Sequence, residues 1–156
     1  MLAKIRRRMK DMKALTELMT TAERYARADG VELPGSEHLV AAAIDHSDGR
    51  AGALAGSHGV DAERFLAEVR RVHADALDEI GIDERDDAID PALPDAGEPV
   101  GLHRAAPSAQ QLLKRVADTS DGFNSAAFIQ HAARTRRGTT AAALGNLGIT
   151  DPGAGE

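Results

Sequence analysis

Ser36-Glu-His-Leu-Val-Ala-Ala-Ala-Ile-Asp-His-Ser-Asp-Gly-Arg-Ala-Gly-Ala-Leu-Ala-Gly-Ser-His-Gly-Val60 lies without a gap over Ser125-Ala-Ala-Phe-Ile-Gln-His-Ala-Ala-Arg-Thr-Arg-Arg-Gly-Thr-Thr-Ala-Ala-Ala-Leu-Gly-Asn-Leu-Gly-Ile149 when the sequence is shifted by 89 residues. Ser36/Ser125, Ala43/Ala132, Gly49/Gly138, Ala53/Ala142, Gly56/Gly145 and Gly59/Gly148 are identical, and Leu39/Phe128, Val40/Ile129 and Val60/Ile149 are conservative matches. Six identities in 25 positions is modest for a chain rich in Ala and Gly. The glycines carry the argument, because they punctuate both copies where a helix would have to end. The pattern reads as one helical unit written twice, with the two copies stacked to share a core.

Outward from the repeat, the chain divides into four helical segments, a linker and three more segments. Leu15, Leu18, Met19, Ala22, Tyr25 and Ala26 make one apolar stripe, which predicts a first helix from about Lys10 to Asp29, stopped by Gly30. Ser36 is the expected N-cap of a second helix, Glu37 to His46, with Leu39, Val40, Ala43 and Ile44 inward. A short third helix is expected over Arg50 to His58. Asp61 is placed to cap a fourth, with a buried stripe of Phe65, Leu66, Val69, Val72, Ala76, Leu77 and Ile80. Gly81 to Pro107 holds four of the six prolines and most of an acidic run, so it cannot be one continuous element. Helical period returns from Ser108, with Ala109, Leu112, Leu113, Val116 and Ala117, then over Ser125 to Arg136 and Gly138 to Leu147. The expected organisation is a basic extension (1–9), repeat one (10–81), a linker (82–107), repeat two (108–150) and a fraying tail (151–156).

Composition supports an all-α fold of about seven helices. The 156 residues suit one domain, which would bury roughly two-thirds of the surface its unfolded chain exposes. Hydrophobic residues make up 42 % but aromatics only 3 %, so the core must be built from Ala, Leu, Val, Ile and Met, a set that favours helix. With no Cys, disulfides, thiolate metal sites and a Cys nucleophile are excluded. That fits a cytoplasmic setting. The basic first residues are followed by no apolar run of the signal-peptide kind, and no stretch approaches the roughly 20 apolar residues needed to span a bilayer.

The net charge of −6 is unevenly spread. Lys4, Arg6, Arg7, Arg8, Lys10 and Lys13 stand against Asp11 alone in residues 1–13, whereas Asp78 to Asp90 is acidic. A nucleic-acid or membrane-surface role for the basic head is the alternative to a solvated helix start. The acidic body repels phosphate backbones, so nucleic acid is not expected as a partner; without a spanning run a membrane is not expected either, and a monomer is expected.

Gly35-Ser-Glu-His-Leu-Val40, then Gly49, then Gly59-Val-Asp61, resembles the repeat signature of the N-terminal domains of Clp unfoldases. The second copy, Asn124-Ser-Ala-Ala-Phe-Ile129 ending Leu147-Gly-Ile-Thr150, resembles it less closely. The resemblance covers roughly residues 10 to 150. It implies two tandem four-helix repeats that recruit substrates or adaptors. No G-x-x-x-x-G-K-[ST] motif occurs in the sequence, so the chain looks like a stand-alone ClpC-like N-domain without ATP hydrolysis. The first helix of repeat two is short, and Asp151-Pro152-Gly153 stands where the family's eighth helix should begin.

In some members of this family the glutamate of G-[ST]-E-H in each repeat recognises phosphorylated arginine. Glu37 matches that position in the first copy, and its carboxylate can accept paired hydrogen bonds from a guanidinium. Ala126 is the second-copy equivalent and cannot. The family threonine before the proline falls on Ala106. Candidate peptide-binding residues are therefore Ser36, Glu37, His38 and Ala126. Glu37 also suits the positive end of a helix dipole, and His38 suits a packing role.

Other chemistries lack their motifs. The six histidines show no H-E-x-x-H spacing, there is no G-x-S-x-G elbow, and no glycine-rich loop fits a dinucleotide site. No catalytic residue, metal or cofactor is expected. The leading expectation is a non-enzymatic module that binds protein segments or Clp machinery. The alternative is a decoy that sequesters the macrocyclic peptide antibiotics that target such domains.

Overall fold

Every element of the computed structural model is helical. It describes residues 2–79, 105–119, 122–135 and 138–150, and among these there are seven α-helices and no strand. They are α1 (Leu2–Ala28), α2 (Ser36–Ile44), α3 (Arg50–Gly56), α4 (Ala62–Glu79), α5 (Pro107–Thr119), α6 (Ser125–Arg134) and α7 (Thr139–Asn146). The expectations for most of the linker and for the tail lie outside the described residues.

The helices follow the apolar periods, with differences at their ends. α1 begins at Leu2 rather than near Lys10. Residues 2–13 are mostly good helix formers without a Gly or Pro, so the helix propagates past the point where its buried stripe starts. Gly35, not Ser36, is the N-cap of α2, and Ser36 is its first helical residue. Pro107, assigned above to the linker, opens α5, where its missing N–H costs nothing. In α4 the buried stripe is Phe65, Leu66 and Val69 with Val72 packed beside it, while Ala76 is exposed, because the last turns run past the body. Ala117 is likewise exposed.

α2 is the hub. It packs against all six other helices, and every residue from His38 to Ile44 is buried. A helix that is apolar all round belongs in the interior, so the one-sided stripe expected for it understates its burial. The remaining packing follows the repeat: α1 lies on α2 as α5 lies on α6, α3 on α2 as α7 on α6, and α3 reaches α6 as α7 reaches α2. α4 covers α2 and α7. Phe65 and Phe128 are the largest fully buried side chains in a core otherwise made mostly of Ala, Leu, Ile and Val.

The third helix of each copy ends in the same way. Val60 N–H donates to Ala55 O at 3.0 Å and Ile149 N–H to Leu144 O at 2.9 Å. These are equivalent bonds 89 residues apart, and each is the long closure of a Schellman turn. That turn needs a left-handed residue before the closing N–H. Gly59 (φ +70°) and Gly148 (φ +81°) supply it.

Candidate functional site

The two copies hold each other by exchanged hydrogen bonds. The Ser36 hydroxyl lies 2.8 Å from the Thr140 hydroxyl, and the Ser125 hydroxyl accepts the Ala51 N–H at 2.8 Å. Ser36 and Ser125 occupy equivalent positions, as do Ala51 and Thr140. Each serine, in the first turn of its own α2 or α6, thus reaches the start of the other copy's third helix.

The Ser125 crossing is closed. Ser125 is fully buried, its N–H donates to Asp48 Oδ2 at 3.0 Å, and its hydroxyl donates to the other oxygen of the same carboxylate. Asp48 also accepts the Arg50 N–H at 3.2 Å. Burial opposes ionisation of Asp48, but the hydroxyl and N–H of Ser125, the Arg50 N–H and the charge of His46 outweigh it and hold the carboxyl below its usual range.

The Ser36 crossing opens on a cleft of about 320 Å³. Ser36 and Glu37 from the start of α2 line it, together with Ser108 and Arg115 of α5 and Thr139 and Thr140 of α7. Ser108 Oγ accepts the Ser36 N–H at 3.2 Å, and Arg115 Nη1 donates to Thr135 Oγ1 at 2.9 Å on the same wall. Leu112 and Ala132 give the cleft an apolar portion. Glu37 is partly exposed, its side chain retaining 29 % of its surface. Its carboxylate folds back over Gly35, where a Cβ would meet Oε2 at 2.6 Å, so a side chain at position 35 would push the Glu37 carboxylate aside. The cleft thus joins a carboxylate, a guanidinium and several hydroxyls, a set suited to a polar, charged peptide segment.

His38 sits behind the cleft. It is 1 % exposed and bonded at both ring nitrogens. Nδ1 accepts the Gly35 N–H at 2.9 Å, so Nε2 carries the proton and donates to Asp29 Oδ2 at 2.9 Å. Asp29 Oδ1 in turn accepts from Arg70 at 2.7 and 3.2 Å. Burial raises the Asp29 pKa, and the bonds from Arg70 and His38 more than reverse this, leaving it below the usual value. The chain Gly35–His38–Asp29–Arg70 ties α2 to the end of α1 and to α4. His38 thus fixes the backbone at the start of α2, the turn that carries Glu37.

Of the four residues singled out from the sequence, Ser36 and Glu37 line the cleft and His38 supports it. Ala126 does not line it. It is half-buried in the first turn of α6, where its N–H is capped by Asn124 Oδ1 at 3.0 Å. Sequence reasoning missed Ser108, Arg115 and Thr140. The repeat held a signal for Thr140, which pairs with Ala51 just as Ser36 pairs with Ser125. For Arg115 there was none beyond a charged position on an amphipathic helix.

No protein-family model, no curated protein and no solved structure matches this chain. Among the described residues no helix is long and apolar enough to cross a membrane, and no group of three or more His, Asp or Glu side chains is placed to hold a metal ion.

Proposed function

We propose that the chain is a non-enzymatic peptide-binding module of the Clp N-domain kind, built from two tandem repeats, with the cleft beside Ser36 and Glu37 as its working surface. The observation that carries this reading is the shared wall of Glu37 and Arg115 at the open crossing of the copies. An arginine or phosphoarginine side chain offers a guanidinium to Glu37, and a phosphoryl group would find Arg115 and the hydroxyls of Ser108, Thr139 and Thr140. The exchanged serine bonds and the paired Schellman turns support the tandem-repeat reading. Leu112 and Ala132 leave the cleft partly apolar, and it is Glu37 and Arg115 that favour a charged segment over a macrocyclic peptide without matching charges.

Fluorescence polarisation with arginine-containing and phosphoarginine-containing peptides tests the proposal. Saturable binding is expected, weakened roughly tenfold or more by Glu37→Ala, the loss of one charge-assisted pair. A peptide set that shows no binding, or binding indifferent to Glu37→Ala and Arg115→Ala, removes this cleft as the site.

A further inference from the structure

We propose that the N-terminal half of α1 lies on anionic lipid surfaces as an in-plane amphipathic helix. Leu2, Ile5, Met9 and Met12 recur at i, i+3, i+7 and i+10, within about 80° of the helix circumference. They retain 73, 55, 60 and 66 % of their surface. The core-facing residues of the same helix, Leu15, Leu18, Ala22 and Ala26, point about a third of a turn away. No described part of the body covers the outer stripe, and a contiguous exposed apolar patch marks an interaction surface.

Charge decides what covers it. Lys4 and Arg8 border the stripe on one side, and Arg6, Lys10 and Lys13 on the other. Arg7 and Asp11 turn toward the body, where Asp11 Oδ1 accepts the Phe123 N–H at 3.1 Å. Residues 1–13 hold six of the chain's basic residues and one acidic residue, leaving 13 basic against 24 acidic residues in the rest. A second copy laid on this stripe would bring two such cationic flanks together. A nucleic acid would take the charge and leave the apolar stripe in water. A bilayer with anionic headgroups takes both, with the stripe at the acyl boundary and the Lys and Arg stems reaching up to phosphates. The acidic remainder of the chain is repelled from that surface, which orients α1 toward it. From sequence, a membrane-surface role for the basic head stands only as the alternative to a solvated helix start; an in-plane helix needs no spanning segment, and the uncovered apolar stripe favours it.

Flotation of the full chain with vesicles of phosphatidylcholine, with or without phosphatidylglycerol, tests the proposal. Binding is expected only to the phosphatidylglycerol vesicles and is expected to weaken as salt rises. The pair Arg6→Gln with Lys10→Gln should weaken it roughly fivefold per cation removed. The pair Ile5→Gln with Met9→Gln, which leaves charge unchanged, should abolish it. Both pairs should keep the wild-type circular dichroism spectrum, since these side chains lie outside the core. No binding to phosphatidylglycerol vesicles overturns the proposal, as does equal binding to both vesicle types. Binding that survives Ile5→Gln with Met9→Gln overturns it in favour of charge alone, as with a nucleic acid or an acidic protein. Lipid-free self-association abolished by that same pair overturns it in favour of a second copy.

Discussion

The two serine crossings begin from the same sequence unit and end differently. At one, Ser125 is sealed from water and satisfied by Ala51 and Asp48. At the other, Ser36 is half-buried beside a cleft, and its hydroxyl meets Thr140. The difference traces to what surrounds each serine. Asp48, in the loop of the first copy, closes over Ser125, and the residue at its equivalent position in the second copy is Arg137. Glu37 follows Ser36, whereas Ala126 follows Ser125. Of two crossings with similar sequence, one is thus a clamp buried between the halves, and the other an opening whose polar groups stay accessible.

The largest expected effect tests whether the copies fold as one. Leu39 and Phe128 are equivalent core positions, both essentially inaccessible. Phe128→Ala should cost about 3–5 kcal/mol and Leu39→Ala about 2–5 kcal/mol. Because α2 packs on every other helix, each variant should still unfold in one transition in guanidinium, followed by circular dichroism. A variant that loses only part of its helical signal at low denaturant would separate the copies.

Next in size is the contrast between the crossings themselves. Ser125→Ala leaves the fully buried Ala51 N–H without its acceptor and removes one donor from Asp48, at a cost of about 1–3 kcal/mol. Ser36→Ala should cost less than about 1 kcal/mol, because water entering the cleft can serve Thr140. Denaturation midpoints of the two variants measure this directly. Equal costs would mean that the crossings are energetically alike and that the clamp reading is wrong.

Much of this architecture was legible before any coordinates. The helices lie where apolar period and glycine placed them, and the repeat foretold matching helix ends, because those depend on local backbone geometry that Gly59 and Gly148 reveal in sequence. The start of α1 was not legible. Nothing there stops a helix, yet nothing there has a core partner, so a rule based on buried stripes begins too late. The cleft was half legible. Glu37 stands out beside His38 in its motif, but Arg115 reads as one more solvated charge until the folded chain sets α5 beside the start of α2. That juxtaposition is nonlocal, and periodicity within a single helix carries no trace of it.

The helix ends are the feature in which the copies should stay equal. Gly59→Ala and Gly148→Ala each force a Cβ into the left-handed region, at about 1–2 kcal/mol. The nearest neighbours to the added methyl stand at 3.9 and 3.8 Å, so the cost is conformational rather than steric and should match between the sites. Thermal denaturation of the two variants checks this. A cost at Gly148 well below that at Gly59 would show the second copy's end to be loosely held.

The smallest effect concerns acid, and it too should be asymmetric. Asp48 and Asp29 both have folded pKa values below the usual range, and both serve the first copy's side of the structure. A carboxyl with a depressed folded pKa binds its proton more readily in the unfolded chain. Its contribution is therefore complete above the unfolded value of about 3.9 and is lost as pH falls through the lower folded value. Stability measured in urea should be insensitive to these two groups from pH 7 to about 5, then decline below about 4. Asp48→Asn retains an acceptor for Ser125 but not the charge. It should lower stability near neutral pH by about 1 kcal/mol, the difference between a charge-assisted and a neutral hydrogen bond, and should flatten the acid decline, leaving the part owed to Asp29. If the Asp48→Asn curve runs parallel to wild type throughout the acid range, the carboxylate's charge contributes nothing to the clamp, and the closed crossing rests on hydrogen bonds that do not need it.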